Sequence, residues 1–105
     1  LSLADPNDII DRATLAKVAN MNIQIKGINA TFVIGKTDAK EVRISARSDN
    51  TVNVQFLLEK LGGGGHFSGA ACAFNNLTID EAEKKLLETL DTYLPAARLE
   101  NPENK

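Results

Sequence analysis

The 105-residue chain is predicted to be an α+β domain, a small sheet with helices packed on it, in the order α-β-β-α-β-α. Three observations carry this expectation. Two runs rich in β-forming residues, 28–35 and 41–47, are separated by a short polar link. Segments with apolar residues at helical spacing stand at both ends of the chain, and a shorter helical segment lies between them. A third strand-like run, made of small residues from Gly69 to Asn75, precedes the last helical segment.

The first helix is expected to open with Asp5 as N-cap and Pro6 in the first turn, where its missing N–H would be unpaired anyway. Asp8 suits the positive end of the helix dipole. Ile9, Ala13 and Ala16 share a face, flanked by Ile10 and Ala19, and the helix should run to about Gln24 and stop at Gly27. Residues 28–35 then form a strand, 36–40 a polar connection and 41–47 a second strand, giving an antiparallel hairpin. In the second strand Val42, Ile44 and Ala46 face one way and Arg43, Ser45 and Arg47 the other, so Arg47 should project away from the core. Residues 48–51 read as a turn. Asn53 is placed to N-cap a short helix over 54–61, which Gly62 would end. Beyond the small-residue strand, Thr78-Ile79-Asp80-Glu81 fits a capping box. The helix it opens carries Ile79, Ala82, Leu86, Leu90 and Tyr93 along one stripe and is expected to end at Pro95. Residues 1–95 are thus read as one domain and 96–105 as a disordered tail.

Composition narrows the function classes without naming one. Hydrophobic residues at 43% and charged residues at 25% are ordinary for a soluble domain, and the length suits one core. Twelve basic against fourteen acidic residues leave a net charge of −2, which argues against a basic nucleic-acid-coating domain but allows a local basic pocket. One cysteine excludes an intramolecular disulfide and a cysteine-based zinc cluster, and one histidine excludes any site that needs two. Cys72, among small apolar neighbours, reads as buried packing, and Glu81, Glu83, Lys84 and Lys85 as a solvated helix face. No apolar run approaches the ~20 residues of a membrane span, and the opening residues do not form a signal peptide. Leu1 in place of an initiator methionine leads us to expect a domain excised from a larger protein.

The anomaly is Gly62-Gly63-Gly64-Gly65-His66. Four successive glycines lose much backbone entropy on ordering, and a helix stop needs only one. In isolation such a run reads as a flexible linker. This one lies between ordered segments of a compact domain, which favours a built loop. Without Cβ atoms the backbone can approach a ligand closely, and successive N–H groups can converge on an anion. His66 can add a hydrogen bond, Arg47 a permanently charged planar fork, and Ser48 and Asn53 neutral hydrogen bonds. Taken singly, Arg47 reads as a solvated strand residue and His66 as a surface or core residue; together with the glycines they read as a phosphate-recognition surface. No Lys-Ser or Lys-Thr follows the glycines, so this is not a Walker A loop. A helix precedes them, which is the wrong setting for a dinucleotide-binding turn.

The segments Ile44-Ser45-Ala46-Arg47-Ser48, Val52-Asn53-Val54-Gln55, Leu61-Gly62-Gly63-Gly64-Gly65-His66 and Ala70-Ala71 resemble the DHH-associated C-terminal domain of the DHH phosphoesterase superfamily. The resemblance covers roughly residues 5 to 95. That superfamily includes the RecJ exonuclease, nano-RNase and pAp phosphatase proteins, and cyclic-di-AMP phosphodiesterases. The Asn-Val-Gln step, the Phe32-Val33-Ile34-Gly35 strand and the flanking helices look most like the GdpP-type cyclic-di-AMP phosphodiesterases.

The resemblance implies that the parent protein is a metal-dependent phosphodiesterase and that this domain holds its substrate. Gly62, Gly63, Gly64 and Gly65 would turn backbone N–H groups toward a phosphate, His66 would hydrogen-bond it, and Arg47 would pair with it and stabilise charge built up in hydrolysis. Ser48 and Asn53 would contribute more weakly. This chain lacks the Asp-His-His motif. It is therefore expected to hold no catalytic residue and no metal, with manganese bound in an N-terminal DHH domain that is the first partner implied. The other partners implied are a cyclic dinucleotide or short oligonucleotide substrate and a second copy in a homodimer. The GdpP-type parents are anchored in the membrane, which would put this domain on the cytoplasmic side. Two alternatives stay open: a nano-RNase or exonuclease-type domain, and a non-catalytic RNA-binding or dimerisation appendage. The acidic balance disfavours long nucleic acid, since backbone tracking needs clustered positive charge.

Overall fold

The computed structural model describes residues 1–5 and 7–99. Among these, five strands form one sheet and three helices pack on it. In chain order they are β1 (Ser2–Leu3), α1 (Arg12–Ile23), β2 (Ala30–Asp38), β3 (Glu41–Ser48), α2 (Val54–Glu59), β4 (Gly64–His66), β5 (Gly69–Asn75) and α3 (Ile79–Leu99). The sheet order is β1-β2-β3-β5-β4. The short edge strand β1 runs parallel to β2, and the other pairings are antiparallel. The α+β class is as expected, and the larger elements follow the predicted order; β1 and β4 are additions to it.

The hairpin of β2 and β3 pairs from Ala30↔Ser48 to Asp38↔Glu41, so the strands extend into the polar link and leave Ala39 and Lys40 as the turn. Alternation along β3 sorts two cores. Val42, Ile44 and Ala46, with Phe32, Ile34, Ala70 and Cys72, meet Leu57 and Leu58 of α2 and Ile79, Ala82, Leu86 and Ala97 of α3. On the other face Val33 meets Leu15 and Ala19 of α1, with Ile10 and Val18 packed against them. A Cβ at Gly35 would lie 2.9 Å from Leu15 Cδ1, so this glycine lets α1 sit close on the sheet. The contacts of α1 run to β2 and β3. Beyond β3 the same face continues as Ala71, half-buried, and Ala73, exposed. One face of the sheet is therefore closed by two helices, and the other is covered on one side only.

Three expectations are corrected. Helix α1 starts at Arg12, not beside Pro6, which lies outside the described residues. Its cap is Asp11, whose carboxylate accepts from Thr14 N at 2.8 Å and Thr14 Oγ1 at 2.9 Å; these bonds hold the Asp11 pKa below its ordinary value. Asp5 instead closes a turn by accepting from Asn7 N at 2.9 Å. Before α1, Ala4 N donates to Ile34 O and Ile10 N to Lys36 O at the sheet edge. The buried stripe of α1 is accordingly Leu15 and Ala19, and Ile9 is 60% exposed. At the other end, α3 continues through Pro95 to Leu99. A proline inside a helix costs ~3 kcal/mol. Two interactions beyond it oppose that cost: Ala97 is fully buried, and its carbonyl accepts from Asn53 N at 3.1 Å. Residues 96–99 are therefore helical and not part of a disordered tail, while 100–105 lie outside the described residues.

Candidate functional site

The site begins where α2 ends. Asn53 caps the helix start, its Oδ1 accepting from Phe56 N at 3.0 Å. At the helix end Gly62 adopts φ +85°, a left-handed conformation that glycine supplies without steric cost. Gly62 N donates to Glu59 O at 3.1 Å and Gly63 N to Leu58 O at 2.9 Å. These two amides satisfy the last carbonyls of α2, so they are not free for a phosphate as the sequence reading expects. Gly63 also packs tightly on β5: a Cβ there would fall 2.2 Å from Ala71 O and 2.5 Å from Cys72 Cβ. A Cβ at Gly65 would fall 2.3 Å from Gly69 O. A Cβ at Gly64 would meet nothing within 4 Å. Gly64, Gly65 and His66 form the edge strand β4, and an edge strand leaves alternate N–H groups pointing away from its sheet.

Register then brings Arg47 and His66 together. Arg47 pairs with Gly69 across β3 and β5, and Gly69 pairs with His66 across β5 and β4. Directly opposed residues share a face, so Arg47 and His66 stand on one face with a glycine between them. A Cβ on Gly69 would sit 2.8 Å from His66 Cε1, 3.0 Å from His66 Nε2 and 3.6 Å from Arg47 Cδ. Both side chains thus lie over the space that glycine leaves. His66 is exposed, with Ser68 Oγ 3.4 Å from its Nδ1. Arg47 is half-buried; its Nε donates to Asn20 Oδ1 at 2.6 Å and its Nη1 to Ala46 O at 2.8 Å. Burial lowers the Arg47 pKa from its ordinary value, but a guanidinium stays charged at neutral pH. The resulting shallow cleft of about 270 Å³ is lined by Arg47, Gly64, Gly65, His66, Gly69, Ala70 and Ala71.

The structure therefore brings together Arg47, Gly64, Gly65 and His66 of the sequence candidates, and leaves Ser48, Asn53, Gly62 and Gly63 outside the cleft lining. Ser48 is next to Arg47 in sequence, so strand alternation turns it to the opposite face. It is buried there, and its Oγ accepts from Asn50 N at 3.3 Å. Asn53 Oδ1 is engaged in capping α2, and the residue does not line the cleft. Gly69 and Asn20 are the residues that sequence reasoning missed. Gly69 was legible only once the strand register was known, and Asn20 is an exposed helix residue with no distinguishing pattern. Cys72 is 3% exposed, and burial pushes its thiol up to about 12, so it is unreactive packing at neutral pH.

The cleft does not suit a manganese ion, because its charged lining is a guanidinium and no carboxylate contributes to it. Among the described residues no group of three or more His, Cys, Asp or Glu converges on a point. No helix among them is long and apolar enough to cross a membrane.

A guanidinium and an imidazole stand astride a glycine, beside a glycine edge strand, on one face of a small α+β domain. The chain belongs to the DHHA1 domain family, which matches residues 3–96. It is 38% identical over 98 residues to the cyclic-di-AMP phosphodiesterase GdpP of Geobacillus thermodenitrificans, covering 93% of this chain and 15% of that protein. It is 46% identical over 78 residues to the cyclic-di-AMP phosphodiesterase PdeA of Listeria monocytogenes, covering 74% of this chain and 12% of that protein. Among solved structures, an exopolyphosphatase-related protein from Bacteroides fragilis matches with a TM-score of 0.65 at 26% identity, covering 75% of this chain and 23% of that one. The chain spans only 12% to 15% of the two curated relatives.

Proposed function

We propose that this domain is the substrate-holding part of a metal-dependent phosphodiesterase that hydrolyses cyclic-di-AMP or a related short nucleotide. The observation that carries the proposal is the cross-strand row Arg47–Gly69–His66. A phosphodiester presents its negative charge on two non-bridging oxygens, and Arg47 keeps three of its five N–H donors for them after bonding Asn20 and Ala46. Charge on those oxygens grows as phosphorus is attacked, so a fixed cation there favours the transition state over the ground state. His66 supplies a second hydrogen bond from the far side of Gly69. Gly64, with open space above it, leaves room for the sugar beside the phosphate. The metal ligands of such an enzyme belong to residues outside this chain, in an N-terminal DHH domain. The identity with two cyclic-di-AMP phosphodiesterases supports the choice of substrate.

In the full-length protein, Arg47→Ala and His66→Ala should each lower cyclic-di-AMP turnover by about 10²-fold or more, the scale for losing one preorganised donor. Turnover at the wild-type rate in both variants would reject the proposal. A parallel assay on short RNA separates substrates within the superfamily: preferential cleavage of RNA would reassign the domain to a nano-RNase or exonuclease.

A further inference from the structure

We propose that Asn20, in the last turn of α1, is a positioning residue that aims the Arg47 guanidinium into the cleft; this rests on the reading of Arg47 as a phosphate ligand. Arginine is long and flexible, and an unrestrained guanidinium would spend most of its time in solvent. Here two acceptors on different elements hold two of its nitrogens, Asn20 Oδ1 on Nε at 2.6 Å and Ala46 O on Nη1 at 2.8 Å. Bonds to two nitrogens of a rigid planar group fix its plane as well as its place. The orientation of the Asn20 carboxamide is also determined, because a guanidinium only donates, so the oxygen must face it.

The chemistry of the two anchors matters as much as their geometry. Both are neutral carbonyl oxygens. The ion pair among the described residues joins Arg12 to Glu41, and no carboxylate is paired with Arg47 there. A carboxylate anchor would hold the arginine equally well but would cancel the charge that a phosphate needs. A carboxamide restrains the side chain and leaves its charge available. Asn20 is itself held by the seat of α1: its neighbour Ala19 is fully buried against Val33, and Leu15 lies against Gly35. The aim of Arg47 is thus set by a helix that reaches the site from outside the glycine motif.

The test is a double-mutant cycle in the full-length protein, read as kcat/KM for cyclic-di-AMP. Asn20→Ala should lower kcat/KM about tenfold, the scale of one hydrogen bond to a charged group. Its melting temperature should not fall, since Asn20 is exposed and alanine is the better helix former. In the Arg47→Ala background the same substitution should cost nothing further, because there is no guanidinium left to aim. An equal loss in both backgrounds, or no loss in the single variant while Arg47→Ala is impaired, would overturn the inference. Wild-type turnover in Arg47→Ala alone would overturn the phosphate reading instead, and this inference with it.

Discussion

Gly64 differs from its glycine neighbours in having no use inside the fold. Gly62 needs its left-handed φ, and Gly63 and Gly65 let the backbone press against β5. Gly64 has neither constraint, and the space above it opens onto the cleft. A glycine that the fold does not require is one that a ligand can require. Gly64→Ala should therefore leave the melting temperature of the full-length protein within a degree or so of wild type, while kcat/KM for cyclic-di-AMP drops about tenfold or more. Gly63→Ala should do the reverse in kind, costing ~1–3 kcal/mol of stability through overpacking against Ala71 and Cys72. Thermal unfolding and turnover on the two variants check both halves. Arg47 was legible at this scale because alternation along β3 turns it away from Val42, Ile44 and Ala46. Ser48 and Asn53 were drawn into the site by closeness in sequence, which on a strand and at a helix cap says nothing about direction.

Elements were legible where they are long or carry a cap. The hairpin of β2 and β3, the strand Gly69–Asn75 and the Thr78–Glu81 capping box all rest on local patterns, and the box forms as read, with Thr78 N donating to Glu81 Oε1 and Glu81 N to Thr78 Oγ1. The strands β1 and β4 have two and three residues, too few for any periodicity, and exist only through pairing with longer neighbours. Helix α1 starts only after Asp11 because the amides of Ala4 and Ile10 bond to β2 at the sheet edge and Asp11 supplies the cap. For α2 the cap is Asn53. Removing its side chain leaves Phe56 N without its partner, so Asn53→Ala should destabilise the domain by ~1 kcal/mol. Asn53→Ser, which can still accept that bond, should recover most of the loss. Urea unfolding midpoints measure both, and turnover at saturating substrate should be close to wild type in each variant.

Across the whole molecule, coverage of the sheet decides what the domain can do alone. One face is filled by α2 and α3, and the other is covered by α1 over β2 and β3, where Arg47 meets Asn20, leaving the β4 edge with His66 open. Two hydrophobic clusters give the chain a core of its own, and among the described residues no buried side-chain polar atom lacks a partner. The domain should therefore fold in isolation. Its cleft, about 270 Å³ and shallow, is at the small end for a ligand pocket and encloses little of a dinucleotide. On the proposed reading Arg47 and His66 hold a phosphate, and among the described residues no group of three or more His, Cys, Asp or Glu converges to hold a metal ion beside it. Calorimetric titration of the isolated 105-residue chain with cyclic-di-AMP should give a Kd weaker than about 0.1 mM, corresponding to little more than one charged contact and its neighbours. Incubation with cyclic-di-AMP and manganese should yield no linear product above the buffer control by chromatography. Turnover near the ~10 s⁻¹ typical of enzymes would show that the domain carries the whole reaction, and would require a metal site that the Arg47 cleft, with its positive charge, is the wrong place to find.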